Sequence, residues 1–186
     1  MDSGANSYRR FREGGDKQGL AEIIREYNDG LIFYLASIVG DIHTAEDIAE
    51  DTYVLLGTKK PKDKGKGSFK TWLYTIARNL AIDHIRRQKR RGEAPLDEAY
   101  RLSEDDCGLE EKYIKEEQKI QIHRAMNRLK AEYRQVLWLV YFEEISVKEA
   151  AGIMKKSVHS AEMLAHRARK ALRAQLEKEG FDNEKL

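Results

Sequence analysis

Cysteine is nearly absent from this sequence, and that alone excludes several classes of protein. One residue, Cys107, stands among 186, so neither an internal disulfide nor a multi-cysteine zinc site can be built. Proline is almost as scarce, with only Pro61 and Pro95, which leaves long stretches open to helix. No apolar run approaches the roughly 20 residues that a membrane-spanning helix needs, and the N-terminus has no signal-peptide apolar core. Strand-like alternation and βαβ periods are missing too. Neither sign of charge dominates, since 34 Lys and Arg face 32 Asp and Glu for a net +2. No HExxH, paired-cysteine or Ser/His/Asp arrangement is legible. His159 and His166 share a helix face without a further ligand, so no catalytic residue, metal or cofactor is expected. What is present is charge in quantity, at 35% of residues with a mean hydropathy of −0.71. That is a polar, helix-forming composition, expected in the cytoplasm, with length for one domain or two small ones.

The charge is unevenly placed. Lys59, Lys60, Lys62, Lys64, Lys66 and Lys70 lead into the stretch Ser68–Arg91, which Arg86, Arg87, Lys89, Arg90 and Arg91 close. From Glu93 to Glu117 the sign inverts, with Asp97, Glu98, Glu104, Asp105, Asp106, Glu110 and Glu111. A basic block followed by an acidic one suggests a nucleic-acid surface and then a linker, although acids also simply keep a tether solvated.

Three helical segments precede the acidic stretch. The first spans about Asp16 to Val39, with apolar residues from Leu20 through Ile24 to Ile38 at helical spacing. The second opens at Thr44, an expected N-cap, carries Ile48, Val54 and Leu55, and fades before Gly57. The third is capped by Ser68. Its apolar stripe is Phe69, Trp72, Leu73, Ile76 and Leu80, and Asn79, Asp83, Arg86, Arg87 and Arg90 form a polar ladder on another side. Trp72 is expected in the core rather than as a stacking platform. Helical periodicity resumes beyond the linker at about Leu109–Leu129 and Glu132–Phe142. Ser146-Val147-Lys148-Glu149 is a capping box. The short helix it starts, a turn at Lys155-Lys156 and a longer helix from Ser157 to about Glu179 make the pattern of a helix-turn-helix. In that last helix Val158, Ala161, Ala165, Ala168 and Leu172 form the inner stripe, and His159, Ser160, Met163, His166, Arg167 and Lys170 lie opposite. The expected fold is all-α: two small helical domains, 1–91 and 117–186, joined by a flexible acidic linker over 92–116.

Both halves resemble the extracytoplasmic-function class of bacterial RNA polymerase sigma factors. Gly40-Asp41 followed by Thr44-Ala45-Glu46-Asp47-Ile48 is similar to the family's GD…DAEDL signature. The run from Gly67 through Trp72 to Asp83 is similar to GSFxxWLYxIARNLAxD. Ser157-Val158 with Arg167-Ala168-Arg169-Lys170-Ala171-Leu172 resembles the SV…RARKAL ending of its recognition helix. Two departures stand out: Glu162, Met163 and Leu164 occupy a usually basic and polar run, and Lys130-Ala131-Glu132-Tyr133 replaces a Leu-Pro-rich turn.

The resemblance implies a transcription initiation factor, not an enzyme, whose partners are core RNA polymerase, promoter DNA and an anti-sigma factor. Glu46, Asp47, Glu50 and Asp51 would dock on the polymerase. Arg78, Asn79, Asp83, Arg86 and Arg87 would face the −10 element, and the Thr58–Gly67 loop would hold a flipped base, which must leave its stack before its pairing edge can be read. Lys155, Lys156, Ser157, His159, Ser160, Met163 and Arg167 would meet the −35 element. The free chain would be a monomer without membrane insertion. A free-standing helix-turn-helix regulator, its first half a dimerisation or ligand module, is the alternative.

Overall fold

The computed structural model describes residues 2–63, 67–92 and 117–178, with the backbone alone at 117–120. Regular structure among these residues is helical throughout. The expected linker, Cys107 and the start of the helix expected at Leu109 fall outside them.

The first half holds four helices: α1 (Ser3–Gly14), α2 (Lys17–Val39), α3 (Ile42–Lys59) and α4 (Phe69–Arg91). α2 is the spine, with Ile23, Leu31, Tyr34 and Leu35 wholly buried. It ends at Gly40 in the left-handed conformation (φ 80°), a position where glycine costs least. Asp41 is then the only residue before α3, and its carboxylate accepts from the Thr44 amide at 2.6 Å. The cap is therefore Asp41, and Thr44 sits inside the first turn rather than capping it. Burial pushes the Asp41 carboxyl up, but the hydroxyl and amide of Thr44 outweigh this and hold it below its usual range. In α3 the buried residues are Ile42, Ala45, Ile48, Ala49, Thr52, Tyr53 and Leu56, while Val54 is 53% exposed. Helix geometry turns Val54, the residue after the buried Tyr53, outward. In α4 the buried face likewise runs through Phe69, Leu73, Tyr74, Ala77 and Ala81. Trp72, Ile76 and Leu80 flank it half-buried, because two alanines let the backbone, not larger side chains, approach the neighbours.

The second half contains α5 (Glu117–Asn127), α6 (Ala131–Leu137), α7 (Val147–Met154) and α8 (Val158–Lys178). The helix expected over 132–142 is α only to Leu137. Trp138–Phe142 winds into a π turn, closed by the Glu143 amide donating to the Trp138 carbonyl at 3.0 Å, and the rings of Trp138 and Phe142 stack 4.4 Å apart at 6°. Arg134 is 1% exposed. Its guanidinium donates to the carbonyls of Asn127 (3.3 Å) and Leu129 (2.7 Å), closing the end of α5, and reaches the Ser37 carbonyl of α2 at 3.4 Å. A buried cation is tolerable only with such partners.

That last contact belongs to a continuous interface between the halves. Trp138 Nε1 donates to the Gly30 carbonyl at 3.0 Å. Lys70 Nζ meets the Glu143 carboxylate at 2.8 Å and the Glu143 carbonyl at 2.9 Å. The Glu143 carboxylate also raises the buried Tyr74 phenol, second to burial itself. A Cβ at Gly30 would run into the Glu143 carboxylate and the Tyr74 hydroxyl, which would have to move aside. The two helical units are thus packed together through one shared apolar core.

Candidate nucleic-acid interface and acidic groove

Four surfaces carry the residues singled out above. The first is the exposed end of α4. Leu80, Asp83, Arg86, Arg87, Lys89 and Arg90 line one shallow groove there. Asp83 organises it: its carboxylate meets Arg86 Nη1 at 3.3 Å and its carbonyl accepts from Arg87 Nε at 3.3 Å. The Asp83 and Arg86 side chains are 60% and 71% exposed, so the pair contributes little to stability and holds the guanidinium in place only loosely. Gly92 (φ 71°) ends the helix and its amide donates back to Gln88 and Lys89, with three cations on the last turn where the helix dipole favours them. Arg78 stands apart from this group. It is half-buried, its Nε is buried without a hydrogen-bond partner, and its charge partly opposes the burial-driven rise of the Tyr34 phenol. Asn79 is half-buried.

The second surface is the chain entering α4. Lys60 takes a left-handed conformation (φ 45°) as α3 ends, and its ammonium lies 4.9 Å from the Phe11 ring centroid. The Tyr8 hydroxyl donates to the Pro61 carbonyl at 2.7 Å. Ser68 caps α4, its oxygen accepting from the Thr71 amide at 3.2 Å. Residues 64–66 of the lysine-rich loop fall outside the described ones. Trp72 packs half-buried against Tyr8 and Phe69, with ring centroids 5.1 and 5.5 Å away.

The third surface is a groove between α2 and α3 lined by Leu20, Ile24, Ile32, Tyr53 and Val54, with Glu46 and Glu50 among its polar members. Ile24 is 37% exposed. His43 Nδ1 lies 3.2 Å from Glu46. Asp47 and Asp51 are exposed on the same helix. Helical spacing alone does not mark Ile24 and Val54 as exposed, and the structure brings them together as apolar members of the groove that also holds the two glutamates. Exposed aliphatics gathered in one groove are the composition of a docking surface.

The fourth is the α7–α8 pair. The Ser146 hydroxyl accepts from the Glu149 amide at 3.2 Å and the Glu149 carboxylate accepts from the Ser146 amide at 3.3 Å, completing the capping box. Glu149 also accepts from the hydroxyls of Thr71 (3.0 Å) and Ser68 (3.3 Å) in α4. The Ser146 hydroxyl above all, then Thr71, the Ser146 amide and Ser68, hold its carboxyl below its ordinary value against a rise from burial. Lys155 (φ 54°) makes the turn, and the Lys156 amide donates to the Ala151 carbonyl at 2.9 Å. Ser157 caps α8 through the Ser160 amide at 3.1 Å. Ala161, Ala165 and Ala168 are buried with Leu176, and Leu164 and Leu172 flank them half-buried. Val158, expected on that seam, is 42% exposed, one turn before the buried Ala161 where the seam begins. His159, Ser160, Glu162, Met163, His166, Arg167 and Lys170 are all exposed. Lys156 is tied back, its ammonium 2.8 Å from Glu132 at the start of α6.

Among the described residues no group of three His, Cys, Asp or Glu side chains is gathered as a metal site would need, and no helix is long and apolar enough to cross a membrane. Residues 23–91 match the family described as Sigma-70 region 2, and residues 119–172 that described as Sigma-70, region 4. The chain is 31% identical over 170 residues to the ECF RNA polymerase sigma factor SigW of Bacillus subtilis, an alignment covering 87% of this chain and 91% of SigW. Of solved structures, the sigma factor RpoE in complex with the anti-sigma factor NepR from Bartonella quintana aligns with a TM-score of 0.64 at 22% identity, over 84% of this chain and 96% of that one. CnrH in complex with the cytosolic domain of CnrY aligns with a TM-score of 0.63 at 20% identity, over 95% and 96%. At those identities the two structures speak for a shared fold.

Proposed function

The chain belongs to the extracytoplasmic-function class of RNA polymerase sigma factors and directs promoter-specific transcription, and from that premise we propose how its surfaces divide the task. Residues 1–91 take core polymerase through the α2–α3 groove, with Glu46, Asp47, Glu50 and Asp51 supplying charge and Ile24 and Val54 the apolar anchor. The same half reads the −10 element with Asn79, Asp83, Arg86 and Arg87, beside a lysine-rich loop that holds an unstacked base. Arg78, turned toward Tyr34, serves that surface from behind. Residues 117–186 read the −35 element in the major groove with Lys155, Ser157, His159, Ser160, Met163 and Arg167, Lys156 joining once it leaves Glu132. Residues 92–116 connect the two. The chain supplies no bond-making chemistry of its own and acts in the bacterial cytoplasm as one copy. An anti-sigma partner belongs to the same proposal, supported by the RpoE–NepR complex.

The observation that carries this division is the lack of overlap between the acidic groove of α2–α3 and the basic groove of α4. Reversing charge at Arg86 and Arg87 should therefore reduce transcription from a two-element promoter at least tenfold while core-polymerase affinity stays within about twofold. Reversing Glu46 and Asp47 should do the opposite. Equal loss of both activities in both variants would overturn the assignment.

The packed arrangement has a consequence for DNA. Elements about 25 base pairs apart lie on the order of 85 Å apart along B-form DNA, whereas a compact chain of this length is roughly 40 Å across. One chain reaches both only when the halves separate, and residues 93–116 can extend to about 80 Å. Loading on a promoter therefore breaks the Lys70–Glu143 and Trp138–Gly30 contacts.

A further inference from the structure

α1 lies outside the segment that matches region 2, yet it is fastened at both ends to the part of the molecule that enters α4. Asp2 divides its carboxylate between two helix starts: one oxygen accepts from the Ala5 amide of α1 at 3.2 Å, the other from the Phe69 amide of α4 at 2.6 Å. A Cβ at Gly4 would run into the Phe69 ring, so the backbone of α1 rests directly on the first turn of α4. One turn further on comes Tyr8, 3% exposed, its ring 5.7 Å from Phe69 and 5.1 Å from Trp72. Its hydroxyl reaches across 53 residues of sequence to the Pro61 carbonyl at 2.7 Å. Burial pushes that phenol up to about 12, with Asp63 adding to the rise and Arg12 opposing it, so it remains a donor at neutral pH. At the next turn Phe11 receives the Lys60 ammonium.

The stretch Lys60–Asp63 needs such a support. It leaves α3 through a left-handed residue, its cations Lys60 and Lys62 repel each other and Lys59 at the end of α3, and Pro61 is its one apolar side chain. Reading the pairing edge of an unstacked base demands donors and acceptors held within a few tenths of an ångström. We propose that Tyr8 is a positioning residue for promoter reading: its hydroxyl pins the Pro61 carbonyl to the first turn of α4 and so sets where the Lys60–Asp63 side of the loop presents itself to the unstacked base. This rests on the reading of that loop as the base holder. Tyr8 is too buried to touch DNA, and its effect passes through Pro61.

Tyr8→Phe keeps the ring and deletes only the donor. Transcription with core polymerase on promoters carrying each of the four bases at each −10 position gives the readout, beside thermal melting and core-polymerase affinity. The expected result is a loss of about three- to tenfold in preference at one −10 position, the range that one net hydrogen bond supports. Melting should shift by only a few degrees and polymerase affinity by less than about twofold. Lys62→Ala and Asp63→Ala, in the loop itself, should change preference at the same position, and Tyr8→Phe combined with Lys62→Ala should give less than the product of the two effects. An even loss on all promoters with a large drop in melting temperature makes Tyr8 core support alone and overturns the proposal. Loop variants that alter preference while Tyr8→Phe does not overturn the positioning role. Loop variants that change nothing remove the base-holding reading and the proposal with it.

Discussion

α4 and α8, the two helices proposed to read promoter DNA, are held in opposite ways. α4 starts inside the molecule: Asp2 and Ser68 cap it, Phe69, Leu73, Tyr74 and Ala77 are buried against the other helices of the first half, and Glu149 from α7 accepts from its first turn. Only its last turns are open to solvent. α8 is the reverse, a long helix resting on a seam of three alanines, with Val158, His159 and Ser160 at its start all exposed. A surface built on α4 is set by what lies beneath it, and substitutions far from DNA reach it. A surface built on α8 is set by the identity of its own side chains.

The largest expected effect tests the buried end of that contrast. Leu73 is wholly buried, and Leu73→Ala should cost about 2–5 kcal/mol of stability, read from urea unfolding. Met163→Ala, on the open face of α8, should stay within about 0.5 kcal/mol. Similar losses at the two sites would erase the distinction.

The second test asks whether α4 borrows its rigidity from the other half. Lys70→Met leaves the Glu143 carboxylate, 10% exposed, without its cation. A fully buried pair broken in this way costs about 3–5 kcal/mol, and Lys70, 30% exposed, brings the expectation to about 1–2 kcal/mol. Small-angle scattering should show the variant more extended than the parent, since the uncompensated carboxylate gains water when the halves part. An unchanged radius with unchanged stability would mean that the interface is held by its other contacts, those of Trp138, Arg134 and Glu149 and the shared apolar core, without the Lys70–Glu143 pair.

How much of this was legible in the sequence follows the same line. The helix-turn-helix could be read because Ser146, Glu149 and Ser157 act on amides three residues away, a local signal that survives in one dimension. α1 could not. Its buried residues include Gly4 and Ser7, and only Tyr8 and Phe11 supply apolar bulk. It is held to α2 by Ser7 and Arg10 meeting Glu22 at 2.6 Å each, and to the start of α4 and the chain before it by Asp2 and the Pro61 carbonyl, across more than fifty residues. Arg134 reads in sequence as a solvated charge, and only the carbonyls of Asn127, Leu129 and Ser37 explain its burial. Trp138–Phe142 is apolar enough to continue a helix, and nothing in the spelling separates a π turn from an α one. The exposure of Ile24 and Val54 was hidden for the converse reason: an apolar residue at helical spacing does not say whether a neighbour covers it.

A smaller effect belongs to the open helix. Glu162 is exposed on the face of α8 that would enter the groove, where a carboxylate is repelled by phosphates. Glu162→Gln should tighten binding of the polymerase-bound chain to −35 DNA about two- to threefold, with the gain shrinking as salt rises. A gain that ignores salt would mean that Glu162 acts on base edges.

The smallest effect divides the comparison most finely, because Glu149 serves both helices at once. Its folded-state carboxyl lies below its ordinary value of 4.5, chiefly through the Ser146 hydroxyl and then Thr71. A depressed folded value means that the unfolded chain takes up the proton first. The contribution is therefore fully present above about pH 4.5 and is lost as pH falls through the lower, folded value. The stability difference between the parent and Glu149→Gln should narrow as pH is lowered from 6 toward 3, while Asp41, Glu22 and the remaining carboxylates, common to both proteins, cancel in the subtraction. The group is half-buried and still partly screened by water, so the narrowing will be modest. Thr71→Val then assigns it. If that substitution removes a clear part of the acid dependence, the first turn of α4 is being held by the second half and is released when the halves part on a promoter. If the acid dependence stays whole, it belongs to the capping box of α7, and the start of α4 is fixed by its own half through Asp2 and Ser68.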